Sequence, residues 1–496
     1  MMISHVRFKV YRRPPGNILY FSGSVGLRGL MLHFLGFIMF VIGGAMAVPA
    51  LIAPIFGELH LIPGFILPSA AAFLIGIFLR AERKPSELTL GNAMVVVTLA
   101  WLIFSAFSSI PYVLSGMPIE DAYFESMSGF TATGLTMITD VSAVPRTILF
   151  WRSLTQWIGG LGVVVLFLTA VVGFGRAARK LYIAEARVEL LEPSIKDTAR
   201  SLWKIYIILT VLGIAGLYLA SMPNASLFEA VNHAMTGIAT GGFSVRNDSF
   251  GSYGAPVCLV MVLIMMAGAT SFVVHKRWIA GRWREIVKNV EVKLMIGIII
   301  FSTVILVLST DAVSALFQAT SALTGTGFST VNIGGWGDAQ KSLLTLLMII
   351  GGGYGSTSSA LKLIRVIIIG KSVYWLLKKS FLPERAVVPM KIAGKEYSER
   401  EMMETTLYAL IYIITLIAGA AVLALLGHGI VDSMFESASA QGNVGLSVGI
   451  TSPLMPLAGK ISLTVQMLVG RLEIIPVIAF LGYLFSRVPR PSRRPF

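Results

Sequence analysis

Four stretches of this chain share one plan. Residues 124–136 read FESMSGFTATGLT, 232–244 read NHAMTGIATGGFS, 317–329 read FQATSALTGTGFS and 435–447 read FESASAQGNVGLS. Aligned without gaps, they place Gly134, Gly242, Gly327 and Gly445 at one position, each followed by Leu or Phe and then by Ser or Thr. The chemistry of interest lies in the residues that lead to those glycines: Thr131, Ala132 and Thr133; Thr240 and Gly241; Gly325 and Thr326; Asn443 and Val444. They are small, neutral or backbone-permissive, so the loops can present carbonyl oxygens with no bulky side chain in the way. Converging carbonyls of this kind can replace the hydration shell of a metal cation. A ring of carboxylates would suit divalent ions or a looser pore, and no charge stands here. These residue types reach as far as a monovalent cation and no further. One such loop in a membrane helix is more often a packing notch, but four at equivalent places count against that reading and lead to the expectation of a filter.

The elements that position the loops are apolar. Of 496 residues 55% are hydrophobic and only 13% charged, with a mean hydropathy of +0.79, whereas soluble domains carry about 25% charged residues. The pattern is that of a polytopic membrane protein. The net charge of +15 is not a nucleic-acid footprint, because Lys and Arg gather in alternate loops, as in the positive-inside pattern. The single cysteine, Cys258, rules out an internal disulfide and a cysteine-based metal cluster. Arg7, Lys9, Arg12, Arg13 and Arg28 precede the first span without a small-residue cleavage site, so the N-terminus is expected to be retained and cytoplasmic.

Spans are expected near residues 30–56, 61–79, 92–114, 149–172, 203–221, 256–274, 292–308, 342–376, 405–426 and 461–485, with basic loops between alternate ones. That gives ten spans and four half-spans. Each unit is span, re-entrant loop, span, and all four run the same way. The expected division is 1–90 for a cytoplasmic N-terminus and two extra helices, 91–190, 191–290 and 291–400 for three pore repeats, and 401–496 for the fourth repeat and a basic cytoplasmic tail. Loop backbone cannot face lipid, so the four units must surround an axis along the membrane normal. The expected fold is an all-α, single-chain pseudo-tetrameric pore. Its half-helices have Glu120, Asp121, Asn224, Ser226, Asp311 and Asp432 near their starts as candidate caps, and their C-terminal ends would favour a cation. Asp140, Asn247 and Asp248 lie just beyond two loops, where simple solvation explains them. His233, aligned with Glu125, Gln318 and Glu436, reads as polar packing behind the filter.

Two features suggest a gate. Residues 342–376 as one helix would be about 52 Å long against a ~30 Å hydrocarbon core, and Gly351, Gly352 and Gly353 interrupt it. Consecutive glycines break a helix, although Gly351 and Gly355 also form a GxxxG packing pair. Arg471 lies within the last span, where a charge is costly and usually functional, or else serves a structural ion pair with Glu473. No GxxxxGK[ST] loop, HExxH or paired Asp motif on facing spans is present, which disfavours an ATPase or an intramembrane protease. A coupled secondary transporter normally has two repeats, often inverted.

Nearly the whole chain strongly resembles the membrane subunit of Trk-type potassium uptake systems, the TrkH/KtrB/HKT superfamily, and its Trk branch by the two extra N-terminal spans. The resemblance rests on the four loops and on the stretch downstream of each: WRSLTQWIGGLG at 151–162, SFVVHKR at 271–277, GGGYGSTSSALKLIRV at 351–366 and VGRLEIIPV at 469–477. It implies a potassium-selective pore in the cytoplasmic (inner) membrane with both termini inside, a homodimer, and a cytosolic nucleotide-binding (TrkA-like) regulatory subunit that gates it. It also implies a pore-blocking loop at residues 351–353 and potassium as the transported ion, with no organic cofactor expected in this chain; a guanidinium at Arg471 beneath a cation filter would add to the barrier by its charge alone. The four loop glycines favour potassium over sodium, since plant relatives with Ser at the first tend to pass sodium. Ala132 stands where a hydroxyl residue is often found. Sodium- or proton-coupled symport is the alternative.

Overall fold

Four helices in the structure are too short to cross a bilayer. Ile119–Phe130, Leu227–Ile238, Ala312–Thr324 and Ile430–Gly442 have 12, 12, 13 and 13 residues, about 20 Å at 1.5 Å per residue against a ~30 Å core. Each ends where one of the four loops begins. They are also deeply buried, with Phe124, Phe317 and Phe435 wholly inaccessible, and Glu125, Gln318 and Glu436 likewise. Outer helices show the reverse pattern: Phe78, Leu308 and Leu425 are 80%, 87% and 88% exposed. Polar groups inside and bare apolar side chains outside are what a membrane solvent requires.

This computed structural model describes residues 25–80, 90–162, 194–383 and 388–485. Two N-terminal helices, Val25–Ile52 and Ile62–Arg80, lie against each other through small residues. A Cβ on Gly36 would meet the Gly76 carbonyl at 2.9 Å, and the Ser69 hydroxyl donates to the Gly43 carbonyl at 2.7 Å. Close backbone approach of this kind is how apolar helices gain contact in lipid. Leu90–Ser108, Ile195–Ala220, Val290–Leu306 and Glu399–Leu425 each precede a half-helix. Return helices come after the loops, starting with Arg146–Leu161, Ala255–Gly268, Asp338–Ile350 and Leu457–Arg471.

Among the described residues, five helices are long and apolar enough to cross a membrane, and two bent pairs bring the number to seven. The chain is a multi-pass membrane protein. The three expected spans outside this number are 149–172, described only as far as Gly162, 292–308, seen as the 17-residue helix Val290–Leu306, and 342–376, which is broken. Ala255–Gly268 bends by 105° into Phe272–Ile279, and Leu457–Arg471 bends by 115° into Ile475–Phe485, where the sequence reads as single spans over 256–274 and 461–485. The 342–376 run stops at Ile350 and resumes at Leu363. The part of the 149–172 span beyond Gly162 lies outside the described residues, as do the N-terminal basic run and the Arg-rich tail.

Capping also departs from expectation. Ser226 and Asp311 cap their half-helices, accepting from Glu229 N and from Val313 N and Ser314 N. The other two half-helices start at Pro118 and Gly429, without a side-chain cap. Asp121 and Asp432 sit inside the first turn and take Lys460 and Lys341 as partners. The Asp121 carboxylate is buried, where a charge-assisted bond to an ammonium is stronger than a neutral one. The basic stretch between the third and fourth units holds the one strand pair among the described residues, Met390–Ile392 against Lys395–Tyr397. Its two-residue turn, Ala393-Gly394, has both φ angles positive, the geometry that suits a tight hairpin.

Candidate functional site

The four loops meet in chain order and close a ring. A Cβ on Gly134 would collide with the Gly241 carbonyl oxygen, one on Gly242 with that of Thr326, one on Gly327 with that of Val444, and one on Gly445 with that of Thr133. Each glycine is thus seated against the carbonyl that precedes the next loop's glycine. The backbone repeats as faithfully as the contacts. Gly134, Gly242, Gly327 and Gly445 have φ of +93°, +76°, +87° and +99°. Two residues earlier, Ala132, Thr240, Gly325 and Asn443 are also left-handed, at +53°, +51°, +72° and +52°. Left-handed residues alternate with ordinary ones, a path that can turn successive carbonyls to one side. Three of the latter four are not glycine, a conformation uncommon for L-residues that is held here by the surrounding structure.

Two sets of side chains hold it, each repeated around the ring. Six residues before each glycine stands a hydroxyl. Ser128, Ser321 and Ser439 accept from the N–H of Gly134, Gly327 and Gly445 at 3.1, 3.0 and 3.0 Å. In the second loop Thr236 donates instead to the Phe243 carbonyl at 3.0 Å. Nine residues before each glycine stands the second polar group, joined to the hydroxyl two residues after it. Thr136 donates to Glu125, Ser447 donates to Glu436, His233 Nε2 meets Ser244 and Gln318 donates to Ser329, at distances between 2.7 and 3.0 Å. His233 is therefore packing behind the ring, in register with its three counterparts.

The return helix of the first unit clamps the second loop. Arg152 is 2% exposed and its Nε lies 2.8 Å from Glu125. Its other nitrogens donate to the Ser244 carbonyl and to Thr136 at 3.1 Å each, and the guanidinium stacks 4.1 Å from the Phe243 ring centre. Gln156, one turn on, donates to the Gly241 carbonyl at 2.6 Å and accepts from Phe243 N at 3.0 Å. One oxygen of the ring is thus already hydrogen-bonded by the protein. The fourth loop is tied to the first by Asn443, whose amide donates to the Thr133 hydroxyl at 2.8 Å and to the Met467 carbonyl at 2.9 Å. Both carboxylates behind the ring are occupied: Glu125 by Arg152, and Glu436 by Ser447, Val448 and Thr451. Among the described residues no group of three or more His, Cys, Asp or Glu could hold a metal ion.

Beneath the ring runs the strap of residues 351–362. Its ends are stitched together, Leu361 N to Ile349 O at 3.2 Å, Lys362 N to Ile350 O at 2.8 Å and Leu363 N to Gly352 O at 2.9 Å. Gly351 has φ +74°, and a Cβ on Gly352 would press on Ser358 and Ala269. Three units reach the strap directly, and the first is joined to it through Arg471. Thr357 donates to the Ile238 and Gly268 carbonyls at 3.0 and 2.9 Å and lies 3.3 Å from the Thr240 hydroxyl. Ser358 lies 3.3 Å from where a Cβ on Gly325 would be. Arg471 donates to the Thr357 carbonyl at 3.0 Å, and to the Gly159 and Gly160 carbonyls of the first return helix. Strap, Arg471, Gly160 and Lys362 line a cavity of about 60 Å³. Glu473, two residues after Arg471, pairs with Arg365 at 2.6 Å.

Beyond the first and second loops, Asp140 and Asn247 join the two. The Asn247 amide donates to Asp140 at 2.8 Å and its oxygen accepts from Val141 N at 2.6 Å. Hydrogen bonds from Ser142 and then Asn247 hold the exposed Asp140 carboxyl below its ordinary value. It is a structural tie as well as a solvated charge.

Sequence reasoning brought the four loops, residues 351–353 and Arg471 to one axis, and missed Ser128, Thr236, Ser321 and Ser439, along with Arg152 and Gln156. The first four were readable in the gapless alignment, where a hydroxyl stands in every copy. The last two sit in WRSLTQWIGGLG, which occurs once and has no repeat to flag its members.

The TrkH cation transport protein family matches residues 63–295 and 295–484. A cation transporter of Methanocaldococcus jannaschii, named uncharacterized cation transporter MJ1485, is 35% identical over 93% of this chain and 96% of its own length. The Trk system potassium uptake protein TrkH of Salmonella typhimurium is 30% identical, covering 92% and 98%. The crystal structure of the potassium transporter TrkH from Vibrio parahaemolyticus superposes with a TM-score of 0.82 at 27% identity, over 93% of this chain and 99% of that one.

Proposed function

Because the chain belongs to the TrkH family of cation transport proteins, a family of transporters and not enzymes, we propose that it takes up potassium across the cytoplasmic membrane through a single-chain pore with four-fold pseudosymmetry. One observation carries the reading: four uncharged loops close on one another, glycine against carbonyl, with both carboxylates behind them already engaged. Thr131, Ala132, Thr133, Gly134, Thr240, Gly241, Gly242, Gly325, Thr326, Gly327, Asn443, Val444 and Gly445 form the filter. Converging backbone oxygens replace water about a large monovalent ion more readily than about a small one, whose dehydration costs more. Relatives named as potassium uptake proteins support the choice of ion.

The strap and Arg471 form the gate. A guanidinium beneath a cation filter raises a barrier, and the strap fills the path until it moves. The second half of the broken third return helix, Leu363–Ser380, leads from the strap to the hairpin, a lever on which a cytosolic nucleotide-binding subunit can act. The boundaries near residues 91, 191, 291 and 401 mark the repeats, the termini lie in the cytoplasm, and the chain works as a homodimer. The test is flux into proteoliposomes holding this chain alone. Potassium and rubidium should enter well ahead of sodium and lithium, and potassium flux should persist without a sodium or proton gradient. Equal sodium and potassium flux would end the filter reading, and gradient-dependent flux would favour symport.

A further inference from the structure

The bend after Gly268 turns the second return helix away from the bilayer axis and leaves Phe272–Ile279 crossing at 105° to the helix before it. Its inner side is packed: Phe272, Val274 and His275 are buried, and His275 Nε2 meets the Ala267 carbonyl at 2.9 Å. Its outer side and the short helix after it, Arg284–Lys288, are bare. Trp278, Ile279, Trp283 and Val287 are 41%, 46%, 60% and 63% exposed. Among them stand Arg277, Arg282, Arg284 and Lys288, all exposed, with one carboxylate, Glu285, which pairs with Arg277 at 3.0 Å. The segment begins at the end of one apolar helix and finishes at the start of another, Val290–Leu306, so both its ends are held at the membrane. Indole rings flanked by guanidinium groups suit a bilayer surface, the rings at headgroup depth and the cations at the phosphates. A soluble acidic partner would match the charges but leave the indoles unsatisfied.

Both ends of this segment also grip the strap. At its start, Phe272 N donates to the Gly355 carbonyl at 2.9 Å and Gly353 N to the Ala269 carbonyl at 2.8 Å. At its end, Glu291 accepts from Tyr354 N at 2.9 Å. A shift of the segment against the bilayer surface must therefore be followed by the strap or break these bonds.

We infer that residues 272–288 are a docking surface for anionic phospholipid headgroups and that their occupancy is passed to the strap, so that lipid charge sets the ease of opening. The second half rests on the strap being the gate; the first does not. The full chain is placed in vesicles of phosphatidylcholine with or without phosphatidylglycerol. Lipid contact is read by quenching of tryptophan emission with brominated versions of each lipid, and potassium flux is read separately. Brominated phosphatidylglycerol should quench more than brominated phosphatidylcholine, and the excess should vanish in W278F/W283F. In R282Q/R284Q/K288Q the preference for the anionic lipid should fall by about fivefold per cation removed. Wild-type flux should change severalfold between the two vesicle types and the triple variant's should not, with the potassium-to-sodium ratio unchanged. Equal quenching by both lipids overturns the docking surface whatever the flux does. Normal quenching with flux indifferent to lipid charge overturns the link to the strap. A response of the segment that appears only when a soluble protein is added overturns the lipid reading in favour of a protein dock.

Discussion

A methyl group added to Gly134 would share space with the Gly241 carbonyl oxygen, on a backbone already at φ +93°. Both penalties fall on the oxygens assigned to the ion. The left-handed conformation alone costs an L-residue roughly 1–2 kcal/mol, and the displaced carbonyl belongs to the neighbouring loop. Gly134→Ser, Gly242→Ser and Gly327→Ser should each lower the potassium-to-sodium flux ratio about tenfold, a change of ~1.4 kcal/mol in discrimination. Three variants with wild-type ratios would remove these loops from the filter. Gln156 is a different case, since its amide holds both Gly241 and Phe243. Gln156→Leu leaves a buried carbonyl and a buried N–H without partners, at about 1–3 kcal/mol each. It should therefore relax selectivity in the second quadrant while potassium still passes, measured as the same ratio. The glycines were legible from the sequence because they recur. Gln156 was not, because its role depends on a helix of one unit facing the loop of the next.

At the scale of elements the decisive fact is how the return helices end. The break after Ile350 could be read from Gly351, Gly352 and Gly353, residues that surrender a helix easily. The breaks after Gly268 and Arg471 could not. In the latter, Glu473 and Ile474 take φ of +55° and +69°, a region that a β-branched residue enters only when the fold compels it. Glu473 is held there by Arg365 and Arg471 by the carbonyls of Thr357 and Gly160, none of them near in sequence. Arg471→Ala, or deletion of residues 351–353, should raise basal potassium flux severalfold and leave the potassium-to-sodium ratio as it was, because the filter is built by other residues. Amide exchange should be faster across 351–362 than in the half-helices. Unchanged or lower flux from variants that insert normally would make Arg471 a structural tie and move the gate elsewhere.

For the whole molecule, the repeats could be read from the sequence, and so could the re-entrant half-helices; the hairpin at 390–397 and the brace from the N-terminal pair could not. That brace is Glu58, which accepts from Arg146 N and Thr147 N at 2.9 and 2.8 Å. It so caps the return helix that carries Arg152 and Gln156, a long-range contact that no local pattern announces. The proposed orientation can be checked by labelling. A cysteine placed at Ser142 should react with an impermeant reagent from outside intact cells, and one at Lys395 only after the membrane is opened; the reverse pattern would invert the topology. The ring has a further consequence. A pore assembled from four identical chains meets every substitution four times over, so its selectivity changes in one leap or not at all. Here each quadrant is encoded separately, and Gln156 already marks one as unlike the rest. Evolution can adjust such a filter a quarter at a time, and a lineage can drift between ions through intermediates that still conduct.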